Sequence, residues 1–266
     1  MIGARWVEGL RWTIPTLVLA AVPLGAQEVV EMPGPDRALD AAFEEVFRIG
    51  SFDGDTWETF GEVAGVAFDE AGNLYVFDRQ ASRITKVDRE GRFVREIGQE
   101  GEGPGEFRRA LQFTALRDGR LVVADLGHRA YHLFGADGEF DRMVSMGGGG
   151  VLRLGDLAPH PGGDAVISGG GGTVMTMQGG PGAQAAPTTR PIDLVSLTGE
   201  EAAVTVIAEG WLPPRGEEPQ RLEGGGMSFQ MASAGPRIFE PGLLVGALPD
   251  GGVAFSDSTG DRIKVA

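Results

Sequence analysis

The sequence predicts an all-β fold made of repeated units of four short antiparallel strands. Three observations carry this prediction: an internal repeat, apolar residues at every second position within it, and abundant turn-forming residues. Glycine and proline supply 44 and 16 of the 266 residues, a content that favours many short strands joined by turns. With 42% hydrophobic and 23% charged residues, the composition indicates a folded globular chain rather than a disordered or integral membrane protein.

The repeat emerges when the sequence is aligned with itself at an offset of 47 residues. Gly72–Asp78 then matches Gly119–Asp125, with identical residues at every second position. A further copy, Gly251–Asp257, keeps the glycine, the alternating apolar residues and the final aspartate. Identities with a period of two mark one face of a β-strand. The glycine at the start of each run indicates a tight turn, because glycine accepts a positive φ without steric cost.

Within one unit, four strands can be placed between consecutive turn signals. They are predicted at Val66–Asp69, Leu74–Asp78, Arg83–Asp88 and Phe93–Ile97. Four short antiparallel strands in every 40–50 residues or so are typical of a propeller blade. The predicted fold class is therefore a β-propeller of four-stranded antiparallel blades, which stack radially around an axis.

Two stretches of the sequence resemble a known family. The unit Gly72–Ile84 (G-N-L-Y-V-F-D-R-Q-A-S-R-I) and the linker Gly98–Phe107 are similar to NHL-repeat β-propellers, and the whole resembles the bacterial secreted proteins called 6-bladed β-propellers. The resemblance implies six blades in the full protein, of which about three and a half are expected here. The sequence departs from the pattern at Ala130, where an Arg-Ile pair is expected, and near Ser168, where the aspartate is missing.

The predicted organisation has three parts: a signal peptide at 1–26, a linker at 27–42 and a partial propeller at 43–266. Blades are expected near 61–107, 108–146, 147–210 and 236–266, with a Gly/Pro-rich insertion at 147–187 and a loop at 211–235. Ala266 follows Asp257 by nine residues, where blade one still needs two strands, so we expect a C-terminally truncated fragment. Phe43–Phe52 is the hypothetical strand that closes the missing last blade.

The first 26 residues have the pattern of a secretory signal. Arg5 and Arg11 flank the start of an apolar stretch, and Trp12–Ala26 carries no charged residue. A basic start, a short apolar stretch and a small residue at the end predict cleavage after Ala26. An uncleaved anchor or a buried N-terminal helix is the alternative. The expected location is periplasmic or extracellular, without a stable membrane span after cleavage.

Charge and cysteine content exclude several classes of partner and site. The formal net charge is −15, which repels the phosphates of nucleic acids and anionic lipids. The chain has no cysteine, so disulfides, thiolate metal sites and cysteine nucleophiles are ruled out. The expected partner is therefore an unidentified protein or small-molecule ligand and not a nucleic acid.

Six repeated or turn positions are candidate channel or loop residues. These are Asp78, Arg83, Asp125, His128, Asp257 and Arg262. The aspartates end equivalent strands, where a ring of carboxylates could hold a cation, with calcium as the ion considered; the favoured alternative is that each accepts backbone N–H bonds in its own turn. The arginines either face a carboxylate ligand or, as favoured, pair structurally with the aspartates.

The chain has three histidines, His128, His132 and His160. In an extended strand, His128 and His132 would lie about 13 Å apart, which is too far for one metal ion. His128 is expected in an exposed turn after Asp125, where binding residues often collect, and a solvated loop histidine is the favoured interpretation. No catalytic residue, cofactor ligand or metal ligand is assigned, and no cofactor is predicted.

The leading functional hypothesis is an exported, noncatalytic propeller that binds a ligand or protein through loops at one face. The alternative is a metal-dependent hydrolase or lyase, similar to propeller lactonases, with catalytic residues partly in the missing blades. The resemblance implies asparagine ligands for such lactonases, whereas Asn73 is the single asparagine of this chain. An RNA-binding NHL domain is a third hypothesis, which the acidic charge opposes because such domains need a basic face.

Overall fold

The structure is a computed structural model of the chain, and it describes eight ranges. These are residues 28–29, 44–147, 155–169, 189–211, 220–224, 227–231, 242–257 and 263–266. Within them lie eighteen strands: β1 Glu28–Val29, β2 Val63–Phe68, β3 Leu74–Asp78, β4 Arg83–Val87, β5 Phe93–Ile97, β6 Ala110–Ala115, β7 Leu121–Asp125, β8 Ala130–Phe134, β9 Phe140–Ser145, β10 Asp156–Pro159, β11 Ala165–Gly169, β12 Thr189–Ser196, β13 Ala203–Trp211, β14 Gln220–Gly224, β15 Met227–Met231, β16 Leu244–Ala247, β17 Val253–Ser256 and β18 Lys264–Val265. A single turn of 3-10 helix spans Thr56–Glu58.

Sixteen of these strands form four antiparallel sheets of four strands each. Their orders are β2-β3-β4-β5, β6-β7-β8-β9, β10-β11-β12-β13 and β16-β17-β18-β1, which we call blades one to four. The innermost strands β2, β6, β10 and β16 contact one another in that order, so the blades stack side by side. The predicted all-β class of four-stranded propeller blades is confirmed.

Alternation along the second strand of each blade explains how the blades pack. In blade two, Leu121 and Val123 pack toward blade one, whereas Val122 and Ala124 pack toward blade three. All five residues of β7 are buried, because a strand between two neighbouring blades must be apolar on both faces. The turn before this strand begins at Gly119, whose φ of +86° is favourable only for glycine.

Blade one has the same alternation, but its outer face is covered differently. Leu74, Val76 and Val87 are buried beneath apolar side chains of the segment that precedes β2, chiefly Phe47 and Phe60. This segment therefore covers the face of blade one on which another blade would otherwise pack. The closing strand was predicted at Phe43–Phe52, but the described residues of that range, 44–52, do not form a strand.

The strand that completes blade four comes from the other end of the chain. Glu28 pairs with Val265, and Val29 pairs with Lys264, so β1 is the outermost strand of this blade. Residues 28–29 belong to the range predicted as linker, and their pairing adds an outermost strand to the partial fourth blade that the sequence predicted. A two-residue strand has no measurable alternation, and its partner lies more than two hundred residues away, so local sequence patterns could not reveal it.

Two other predicted irregular regions contain strands. The loop at 211–235 includes the hairpin β14–β15, and the Gly/Pro-rich insertion at 147–187 includes β10 and β11. The rest of that insertion, residues 148–154 and 170–187, lies outside the described residues, as does the predicted signal peptide at 1–26. Within the part of the chain that the structure describes, no helix is long and apolar enough to cross a membrane.

Candidate functional site

The aspartate at the end of the second strand ties three segments of its blade together. In blade one, Asp78 is completely buried and accepts N–H bonds from Gly61 at 2.9 Å and Glu62 at 3.0 Å, just before β2. It also accepts the amide of Ala81 in the following turn at 3.2 Å. The carboxylate therefore satisfies the backbone at the entry to the inner strand as well as in its own turn.

The equivalent aspartate of blade two makes the same bonds. Asp125 is also completely buried and accepts the amides of Arg108 at 2.8 Å and Arg109 at 3.0 Å. In the turn that follows, the amide of Gly127 donates at 2.7 Å. Both aspartates thus bind the backbone of their own blades, which is the role that sequence reasoning favoured over a carboxylate ring.

Amide hydrogen bonds also control the ionisation of these two groups. Burial raises the pKa of Asp78, but hydrogen bonds from the amides of Glu62, Gly61 and Ala81 outweigh burial and leave the pKa below 3.8. Asp125 follows the same balance, with burial opposed by hydrogen bonds that include the amide of Arg108, and its pKa is also lowered. Both carboxylates are therefore charged at neutral pH.

The remaining repeated candidates have different surroundings. Asp257 is buried and accepts the amide of Trp211 at 2.8 Å and the ammonium of Lys264 at 2.6 Å. Arg83 forms its ion pair with Glu96, which lies on the neighbouring strand β5. The charge of Arg83 also helps to lower the pKa of Asp78, so its structural pairing with the strand-end aspartate stays a prediction. Arg262 lies outside the described residues.

His128 and His132 lie close together, contrary to the separation expected for one extended strand. Their ring centroids are 5.1 Å apart. The reason is that His128 belongs to the turn between β7 and β8, not to a strand. Arg129 has a φ of +52°, and this left-handed residue folds the turn back over the start of β8. His128 is also only 13% exposed, so it is not the solvated loop histidine that the sequence suggested.

Asp125 holds the ring of His128 in place. Its Oδ2 lies 3.0 Å from His128 Nδ1, so a neutral ring donates through Nδ1 and presents Nε2 on its other side. One potential ligand atom from each of Asp125, His128 and His132 lies within 4.8 Å of the other two. Carboxylate oxygen and imidazole nitrogen are both ordinary ligands for transition metals. These three side chains therefore form a candidate metal centre.

His132 occupies an apolar position at the bottom of this group. It is fully buried, with the rings of Phe107 and Phe140 edge-on at centroid distances of 5.9 and 6.0 Å. Burial lowers the pKa of His132, although the charge of Asp125 acts in the opposite direction. The lowered pKa favours the neutral imidazole at neutral pH, which is the form that binds metal ions.

Sequence reasoning named His132 but gave it no role in a site. The 47-residue repeat contained a usable signal, because it aligns His132 with Thr85 and His128 with Ala81. Thr85 is completely buried, so a polar residue at the same place in blade two is also expected inside the fold. Both histidines replace unlike residues of blade one next to the shared aspartate.

A second feature of the same end of the blades is a cleft between blades one and two. Its volume is about 350 Å³, and it is lined by Phe77, Arg79, Ser82, Arg108, Arg109, Ala110 and Leu111. The three arginines make it cationic in a chain whose net charge is −15. Arg79 pairs with Glu62, and Arg108 lies 3.6 Å from Glu102. Arg109 has no ion-pair partner among the described residues.

Stacked sheets of four strands, tied by buried strand-end aspartates, define the protein as a β-propeller. Residues 58–146, which span blades one and two, match the model of the family described as 6-bladed beta-propeller. The chain is also 29% identical over 149 residues to NHL-repeat-containing protein 4 of Mus musculus, covering 52% of this chain and 98% of that protein. The resemblance to NHL-repeat-like six-bladed β-propellers is thereby confirmed.

Solved structures of propeller enzymes are more distant. Virginiamycin B lyase from Staphylococcus aureus has 11% identity and a TM-score of 0.39, with 74% of this chain and 50% of that chain covered. A gluconolactonase of Xanthomonas campestris has 16% identity and a TM-score of 0.39, with 76% and 57% covered. The chain thus spans little more than half the length of either structure, and neither likeness carries an argument about activity.

Proposed function

We propose that this chain is an exported, noncatalytic propeller that binds a carboxylate-bearing ligand in the cleft between blades one and two. The observation that carries the proposal is the clustering of Arg79, Arg108 and Arg109 at one cleft of an acidic protein. Guanidinium groups form paired, charge-assisted hydrogen bonds to carboxylates. Export rests on the signal sequence predicted at residues 1–26.

The surroundings of the three arginines support ligand binding over a purely structural role. All three are exposed, and an exposed ion pair such as that of Arg79 with Glu62 contributes only about 0–1 kcal/mol. An incoming carboxylate can therefore replace such a partner at little cost. Phe77 and Leu111 line the same cleft and offer apolar contact to the body of a ligand, an arrangement common in binding pockets.

The cleft is also fixed in place by the fold. The amides of Arg108 and Arg109 donate to Asp125, and Arg79 directly follows Asp78 in the chain. The backbone of all three arginines is therefore anchored near buried carboxylates while their side chains remain exposed. A rigid backbone lowers the entropy cost of ordering a binding site.

Fluorescence anisotropy of a labelled polyglutamate peptide, with unlabelled citrate as competitor, tests this proposal. We expect the peptide to bind and the triple variant Arg79→Ala, Arg108→Ala, Arg109→Ala to bind at least about tenfold more weakly, because each charge-assisted bond is worth about 1.5–3 kcal/mol. Displacement by citrate would identify a small-molecule site, whereas retention of the peptide against citrate would identify an acidic protein segment; either outcome supports the proposal.

A matched control removes the same charge elsewhere on blade one. The triple variant Arg89→Ala, Arg92→Ala, Arg95→Ala changes the net charge equally at exposed positions remote from the cleft lining. Equal weakening by both triple variants would reduce the effect to net charge and overturn the proposal. Turnover of an aliphatic lactone by the metal-supplemented chain, lost on chelation, would replace it with the metal-dependent hydrolase.

A further inference from the structure

The group formed by Asp125, His128 and His132 contains buried polar atoms that nothing in the fold explains. His128 Nε2 and both ring nitrogens of His132 are buried, and no described residue lies within hydrogen-bonding distance of them. A buried polar atom without a partner costs about 1–3 kcal/mol. Such atoms are rare in native proteins, and each calls for a ligand, an ion or a catalytic role.

We propose that Asp125, His128 and His132 form a binding site for a divalent transition-metal ion of the zinc type. Their ligand atoms lie within 4.8 Å of one another. Ligands of tetrahedral zinc, at 2.0–2.1 Å from the ion, are separated by about 3.4 Å. Because no separation exceeds 4.8 Å, each must shorten by at most about 1.4 Å, a movement within the reach of side-chain rotation.

The donor set selects the class of ion. Two imidazole nitrogens and one carboxylate oxygen suit zinc and its neighbours in the transition series. Calcium prefers six to eight oxygen ligands, whereas Asp125 is the only carboxylate in this cluster. The site therefore favours zinc over calcium, the ion considered from the sequence. With three protein ligands, zinc keeps a fourth position for water or another ligand.

The surroundings of the site resemble the outer shells of metal centres. Asp125 is oriented by the amides of Arg108 and Gly127, and outer hydrogen bonds of this kind fix metal-ligating carboxylates. The rings of Phe107 and Phe140 lie against His132 and exclude water from that side. His128 is 13% exposed, which makes it the side from which an ion can enter.

Blade one supplies the residues for a test, because it has the same turn without the histidines. His128→Ala installs the residue that blade one has at Ala81, and His132→Thr installs the residue that it has at Thr85. Both substitutions therefore place residues that the equivalent turn and strand of blade one already accommodate. His160→Ala is the control, since His160 lies in the turn between β10 and β11 and belongs to no such cluster among the described residues.

The experiment uses the full chain, stripped of metal, with Zn²⁺ in calorimetric titration and Co²⁺ as a spectroscopic probe. We expect one Zn²⁺ per chain at micromolar concentration and the visible absorption bands of tetrahedral Co²⁺. Loss of an outer-shell partner already costs about 10- to 100-fold in affinity, so His128→Ala should weaken Zn²⁺ binding by about 100-fold or more. The double variant should bind no Co²⁺ in tetrahedral geometry, and His160→Ala should match the unmodified chain.

Three results would overturn the proposal. They are the absence of Zn²⁺ binding by the unmodified chain, unchanged affinity in His128→Ala, and preferential binding of Ca²⁺ at the same site. Circular dichroism shows whether each variant is folded. If His132→Thr does not fold, His128→Ala decides alone, because His128 lies in a turn and is partly exposed, whereas His132 is fully buried.

Discussion

Blades one and two have the same backbone conformation in the turn after their second strand, but they differ in the side chains next to it. Each has a left-handed residue in the turn after the second strand, Ser82 with φ +51° and Arg129 with φ +52°. Each ends that strand with a buried aspartate that binds backbone amides, three at Asp78 and four at Asp125. Next to this shared frame, blade two has two histidines in place of an alanine and a threonine. The repeated aspartates therefore maintain the fold, and in blade two the histidines that break the repeat add the other ligands of the candidate metal centre.

The largest difference in stability between equivalent variants of the two blades is expected at the glycine that precedes each blade. Gly98 precedes blade two and Gly50 precedes blade one, with φ values of +78° and +96°. A Cβ at residue 98 would overlap the buried ring of Phe107, whereas one at residue 50 would lie 3.5 Å from Phe60, an ordinary contact. Gly98→Ala should therefore destabilise by about 4 kcal/mol, from backbone strain plus overpacking. Gly50→Ala should cost about 1–2 kcal/mol, from strain alone.

Urea denaturation of the two glycine variants measures this difference in the free energy of unfolding. Because both residues have positive φ, the strain contributions largely cancel and the remainder reports the packing of Phe107. Gly246→Ala is a neutral reference, since no atom lies within 4 Å of its added Cβ. Equal losses for Gly98→Ala and Gly50→Ala would show that the Phe107 ring is not tightly packed against residue 98.

The next effect is expected at the aspartate that both blades share. Asp78→Ala leaves the amides of Gly61, Glu62 and Ala81 without their acceptor, so we expect a loss of about 3 kcal/mol at pH 7. The pKa of Asp78 is lowered by folding, so its contribution is present above the unfolded pKa and is lost as pH falls through the folded pKa. The gap between wild type and variant should therefore begin to narrow as the pH falls below about 4.

Urea midpoints between pH 7 and pH 3 measure that gap. Asp141→Ala is the control, because its side chain is 61% exposed and lies 3.7 Å from Arg142, and it should change stability by less than about 0.5 kcal/mol. A gap that stays constant down to pH 3 would contradict the role assigned to the charged form of Asp78.

The comparison of blades one and two also shows which parts of the fold and of the candidate site can be predicted from the sequence. Period-two identities predicted β3 and β7 because buried strands between blades must repeat their apolar residues. They did not predict β1, since two residues have no period, or the coverage of blade one by Phe47 and its neighbours. The proximity of His128 and His132 depends on the positive φ of Arg129. Arginine seldom adopts such a conformation, so a strand distance was the natural but wrong assumption.

The smallest effect is expected at a tyrosine hydroxyl of blade one that approaches blade two. Tyr75 of blade one donates to Asp69 at 3.0 Å and lies 3.3 Å from the carbonyl oxygen of Gly119 in blade two, whereas Val122 at the equivalent position of blade two has no hydroxyl. Tyr75→Phe removes the hydrogen bond but keeps the ring in the core, so we expect a loss of about 1 kcal/mol.

Chemical denaturation of Tyr75→Phe beside Asp69→Asn separates the contributions of the two partners. Asp69 also accepts the amide and the side chain of Asn73, so its replacement should cost more than the loss of the hydroxyl alone. The double variant should lose less than the sum of the single variants, because the shared hydrogen bond is counted in both. Additive losses would show that the hydrogen bond from Tyr75 to Asp69 contributes nothing to stability.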